Sequence, residues 1–164
     1  MAIQQIGISD WILKLGSLLK NNVAIRKFTA ENFPDKQLMV VAGDILPDEE
    51  PVEEDCPFIL IYGATKKEGL NAGVCEYKCN LGIGISTDKG NFLSDDGIVM
   101  HNAYDLMSKL MLIIQRELND YRPMSAVDAQ VGGALNPGGT YWAGDMTIIW
   151  EIEQTLGLGK AQEF

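Results

Sequence analysis

The alternation over residues 74–86 constrains the fold more than any other feature. Cys75, Tyr77, Cys79, Leu81, Ile83 and Ile85 occupy the odd positions. Val74, Glu76, Lys78, Asn80, Gly82, Gly84 and Ser86 occupy the even ones. A period of two held over this length predicts a long strand with one apolar and one mostly polar face. Sheets that leave a face in water are usually antiparallel. The expected class is therefore α+β: a mainly antiparallel sheet of about four strands, a long helix packed on it, and a short N-terminal helix. A doubly wound nucleotide-binding fold is not expected.

The remaining elements follow from spacing. Ile8, Trp11, Ile12, Leu15, Leu18 and Leu19 recur at helical intervals, with Ser9 placed to cap and Asn21-Asn22 to stop the helix. Residues 23–36 read as an irregular connection anchored by Phe28 and Phe33. Gln37–Asp44 reads as a short buried strand and Phe58–Tyr62 as a second, central one. Residues 63–73 read as a turn with Lys66-Lys67 at its tip, which makes a hairpin into the 74–86 strand the simplest topology. After a polar loop with a cap at Ser94–Asp96, the main helix is expected from about Gly97 to Leu118, roughly 30 Å long. Asp145–Leu156 reads as the last strand. One domain is expected over residues 1–164, with a flexible acidic loop at 45–56, a long irregular loop at 120–144 and a short tail at 157–164.

Charge is unevenly placed. The net charge is −10, from 23 acidic and 13 basic residues. Asp44, Asp48, Glu49, Glu50, Glu53, Glu54 and Asp55 fall in one stretch with no base among them. Such a stretch is a solvated face, or a surface that repels DNA or docks a basic partner. A chain of this charge is not expected to grip a nucleic-acid backbone, which requires clustered Lys and Arg. No apolar run approaches the ~18 residues of a membrane span, and Met1–Asp10 lacks the pattern of a signal peptide. A cytoplasmic location is expected. The three cysteines fit it: Cys75 and Cys79 stand roughly 13 Å apart along one strand, too far for a disulfide.

No catalytic, cofactor or metal set emerges. His101 is the single histidine, four residues before Asp105 in the expected helix. That pair could orient a general base, with Cys75 or Cys79 as the thiol. A thiol on an apolar face is inert, however. A zinc site of Cys75, Cys79 and His101 would need convergence that two cysteines along one strand do not offer. Gly82-Ile83-Gly84 lies inside a strand, so it reads as a place where another backbone or subunit comes close rather than a nucleotide loop. Tyr141 and Trp142 read as packing residues before the last strand.

The order of elements is helix, strand, proline-bounded loop, Pro57-led strand, long amphipathic strand, long helix, irregular segment, terminal strand. It resembles the tail-terminator (tail-completion) proteins of long-tailed phages. Cys56-Pro57-Phe58-Ile59-Leu60-Ile61 looks like that family's second strand, Tyr77–Ile85 like its third, and Tyr141–Ile152 like its closing strand. The resemblance implies a structural virion protein, not an enzyme, assembled in the host cytoplasm. It implies a hexameric ring at the head-proximal tail end that stops tube polymerisation and joins tail to head. Its partners would be its own copies, the tail tube protein and neck or connector proteins, with DNA passing unbound and no membrane involved. Under it, Asp48, Glu49, Glu50, Glu53, Glu54, Glu76, Glu151 and Glu153 are candidates for a lumen or partner surface. Another neck or connector ring is the alternative. Other classes are a small cytoplasmic enzyme or ligand-binding domain using Cys75, His101 and Asp105, and a binding module whose 48–55 loop docks a basic protein.

Overall fold

The computed structural model describes residues 7–44, 47–68, 74–120, 125–132 and 141–153. In chain order the elements are α1 (Ile8–Asn21), α2 (Val23–Asn32), β1 (Met39–Ala42), β2 (Phe58–Glu68), β3 (Val74–Ser86), β4 (Asn91–Leu93), β5 (Val99–His101), α3 (Asn102–Asp120), β6 (Ser125–Gly132) and β7 (Tyr141–Glu153). Single-turn 3-10 helices occupy Pro47–Glu49 and Glu53–Asp55.

The sheet has five strands in the order β1-β2-β3-β7-β6. The pairs β2/β3, β3/β7 and β7/β6 are antiparallel, whereas β1 runs parallel to β2. The expected α+β class is met, with one strand more than expected and one parallel edge. The strand at 74–86 forms as read, and every described odd-numbered side chain on it is buried. Its hairpin partner β2 runs on past Tyr62, so Lys66 and Lys67 lie within a strand and not at a turn.

The helices cover one face. Trp11 of α1 meets the Tyr77 ring at 5.2 Å and the Trp150 ring edge-on at 5.5 Å, which ties α1 to β3 and β7. Along α3, Ala103, Leu106, Met107, Leu110, Met111, Ile114 and Leu118 form the buried stripe. This helix comes close to β7 at Gly144, where a Cβ would sit 3.3 Å from the sulfurs of Met107 and Met111. Burying the Leu, Ile and Met side chains of this stripe stabilises by about 1.5–3 kcal/mol each.

Several boundaries differ from expectation. Residues 23–32 are helical, because Asn22 ends α1 and at once caps α2, accepting from the Ile25 amide at 3.0 Å. At the start of α1 the capping position is Gly7, not Ser9, and no side chain caps there. Ser94 does not cap the main helix. Its backbone and hydroxyl accept from Gly97 and Ile98 and close the β4–β5 hairpin. The helix therefore begins at Asn102, with the His101 Nδ1 accepting from the Ala103 amide at 3.2 Å. Residues 125–132, expected within an irregular loop, pair with β7 as β6. Residues 141–144, expected in the same loop, open β7, which begins at Tyr141 and not at Asp145. Residues 121–124 and 133–140 of that loop, and the expected tail at 157–164, lie outside the described residues.

Candidate functional site

The helix-free face of the sheet is the candidate surface. It presents the even positions of β3 with their cross-strand partners. Glu76 stands directly opposite Glu151 on β7 and Lys67 on β2, and its carboxylate lies 3.6 Å from the Lys67 amine. Like charges placed opposite one another on adjacent strands repel, and the lysine partly offsets this. Glu153 stands at the register position opposite Val74.

Farther along the same face, Gly82 and Gly84 stand opposite Leu60 and Phe58. The Phe58 ring lies over Gly84, and any Cβ there would penetrate it. What comes close at these glycines is thus a set of side chains of the same chain, not another backbone or subunit. Beside it, Tyr62 donates a hydrogen bond to Asp145 at 3.0 Å. Burial first, and then this bond and the charge of Asp145, push the Tyr62 phenol up.

The acidic segment crosses this face. Parallel pairing obliges the chain to return from the end of β1 to the start of β2, and such a crossover is long. Asp44 starts it by accepting from the Gly63 amide at 2.9 Å. Glu50 and Pro51 then help enclose a groove of about 350 Å³ over Leu60, Tyr62, Tyr141 and Asp145. The Glu53 carboxylate accepts from the Ser86 hydroxyl at 2.9 Å, and the Glu54 carbonyl accepts from the Lys36 amine at 3.0 Å. Asp55 accepts from the Val52 amide at 3.0 Å. The turns at 47–49 and 53–55 give this segment local structure where a flexible loop was expected. Asp48, Glu49, Glu50 and Glu54 are exposed. Burial, followed by the nearby Cys56, Glu50, Asp145 and Glu53, pushes the Tyr141 phenol up.

The structure thus brings Glu76 and Glu151 together near one end of the open face. It holds Glu50 and Glu53 toward the other, along a thirteen-residue strand, with Asp48, Glu49 and Glu54 exposed on the same crossover segment. Asp145 lies between them. Asp44, part of the acidic stretch, joins this surface, and so does Tyr62, whose sequence position gave no notice of it. Tyr62 ended a continuous apolar run, and only the register with β3 and β7 shows its hydroxyl facing Asp145.

The catalytic candidates do not assemble. Asp105 pairs with Lys109 at 2.6 Å, one turn along α3. His101 is spent on capping α3, and its ring lies 4.9 Å from that of Trp142. Cys75 and Cys79 are buried on the helix-covered side, and burial pushes the Cys79 thiol up to about 12. Cys56 is raised to about 12 as well, by burial and then by Glu53 and Asp55. Thiols held protonated in this way are poor nucleophiles and poor metal ligands. Among the described residues no group of three His, Cys, Asp or Glu could hold a metal ion. None of the described helices is long and apolar enough to cross a membrane. Tyr141 and Trp142 part company, Tyr141 to the open groove and Trp142 into the core.

No protein-family model matches the chain, and no curated protein matches it.

Proposed function

We propose that this chain is a tail-terminator subunit of a long-tailed phage. Copies form a ring at the head-proximal end of the tail, end polymerisation of the tube and join the tail to the neck. The observation that carries this is the segregation of the sheet's two faces. All packing of α1 and α3 falls on one side, while the other side bears acids along its length: Glu76, Glu151, Asp145, Asp44, Glu50 and Glu53. Lys67 and Lys78 stand on the same face, so among the described residues acids outnumber bases there. An open sheet face of this charge suits the wall of a channel through which DNA must pass without adhering, because like charge keeps the duplex off the wall. The element order adds support: an N-terminal helix before the sheet, a long helix packed on it, and a closing strand are what the resemblance implies.

The test is negative-stain imaging of the purified chain, alone and mixed with tubes polymerised from the cognate tail tube protein. Rings with a central hole, seated on tube ends that cease to elongate, are the expected result. Tubes that lengthen unchecked in the presence of excess chain, with no density at their ends, would overturn the assignment.

A further inference from the structure

The β4–β5 hairpin forms a two-stranded sheet of its own, apart from the main sheet. Strands of three residues in a lone pair are marginal in water. Yet this hairpin leaves Leu93, Ile98 and Val99 exposed at 69%, 61% and 60%. Its turn carries Asp95 and Asp96, both exposed. The result is a knob with two carboxylates at the tip and apolar shoulders.

A surface of complementary character lies at the β1 edge of the same molecule. A hollow of about 380 Å³ between α1, α2 and the approach to β1 is lined by Lys20, Arg26 and Lys36, with no acidic residue in its lining. It shares Lys20 and Asn21 with a second hollow of about 230 Å³, lined also by Leu13, Val40 and Ala42. Leu13 is 63% exposed. The two hollows adjoin at Lys20 and Asn21, one lined by cations and the other partly by apolar side chains, on a chain whose net charge is −10. Concentrating three cations in one hollow of so acidic a molecule marks a surface for an acidic partner.

We infer that the β4–β5 hairpin of one copy docks in the α1–α2–β1 groove of the next. Asp95 and Asp96 meet Lys20, Arg26 and Lys36, while Leu93, Ile98 and Val99 cover Leu13 and Val40. Two different surfaces are joined, so the contact is head-to-tail, the kind that closes into a ring. The partner is a second copy of this chain, and the contact rests on the ring assignment above.

The test uses full-length chain in sedimentation velocity, with Asp95→Lys/Asp96→Lys and Lys20→Glu/Arg26→Glu as paired variants. All four side chains are exposed, so circular dichroism should show each variant folded. Each variant alone should lose self-association by about tenfold or more. An equimolar mixture should recover it, because the reversed knob fits the reversed groove and the two native surfaces fit each other in alternation. Assembly unaffected by both reversals overturns this contact and leaves the ring assignment standing. So does assembly lost in each variant and not recovered on mixing. Wild-type chain that stays monomeric up to about 1 mM also overturns the contact. Recovered assembly that images as pairs or open chains, and not as closed rings, keeps the contact and counts against the ring.

Discussion

At the residue scale, Gly84 and Cys79 carry the sharpest expectations. Phe58 occupies the space that a side chain at position 84 would need. Gly84→Ala should therefore destabilise by about 1–3 kcal/mol, the usual cost of overpacking. In a Phe58→Ala background the same change should cost much less, and a double-mutant cycle in urea reads the difference. Equal costs in both backgrounds would show that the ring is not what the glycine accommodates. Cys79 gives a pH dependence. Its thiol is raised from 9.0 to about 12, so the folded chain keeps a proton that the unfolded chain releases. The stabilisation is complete below about pH 9 and is lost as pH rises toward 12, at about 1.4 kcal/mol per pH unit for each such thiol. Cys56, raised to about 12 as well, adds a parallel loss. Urea midpoints at pH 8 and pH 10 should diverge less in Cys79→Ala than in the parent chain. An unchanged divergence would mean that Cys79 titrates in the folded state as it does in the unfolded chain. The alternation that buries Cys79 was plain from sequence, since period two assigns a face to every residue of β3. The ring over Gly84 was not, because it depends on which residue of β2 stands opposite.

At the scale of elements, legibility followed the length of the pattern. The strand at 74–86 and the stripe of α3 run long enough for periodicity to decide them. The helix α2 does not. It has ten residues, of which only Ile25, Phe28 and Thr29 are buried, and one residue separates it from α1. Asn21-Asn22 marked the stop of α1, but three buried positions in ten residues leave too short a stripe to mark the next helix. The strand β6 was obscured by a bulge between Ala126 and Asp128, which shifts the phase of alternation midway. The hairpin strands β4 and β5 are too short to show any period. Asn22 is the hinge of the first region. Its Oδ1 caps α2, and its Nδ2 donates to the Glu117 carboxylate at 2.6 Å, joining α2 to the end of α3. Asn22→Ala loses both contacts and should cost about 1–2 kcal/mol in urea unfolding. Asn22→Ser keeps a capping oxygen and should recover part of that loss. If serine and alanine give the same midpoint, the cap contributes nothing and the tie to Glu117 carries the effect.

For the whole molecule, the placement of acids along the open face leads to a test of topology. Composition showed that the acidity is largely local, yet not that the crossover and the β3/β7 pair share one side of the sheet. The parallel pairing of β1 with β2 requires the crossover, the contacts of Glu50 and Glu53 put it on the open side, and no local pattern announces a parallel edge. If that side lines a channel, Glu76→Lys with Glu151→Lys should convert a wall that repels DNA into one that retains it. Retention should weaken as salt rises, since lysines bind phosphates by releasing counterions. A basic patch on an outer surface would do the same, so binding alone does not locate the face. The form of the DNA does. A preassembled closed ring can be threaded by a linear duplex through its ends, but a covalently closed circle has no end to thread. Preassembled variant rings should retain linear DNA and let the circular form of the same sequence pass, as read by filter binding at matched salt. Cutting the circle once should restore retention. Equal retention of both forms would place Glu76 and Glu151 on the outside of the ring and leave the crossover acids at 48–54 as the remaining candidates for its wall.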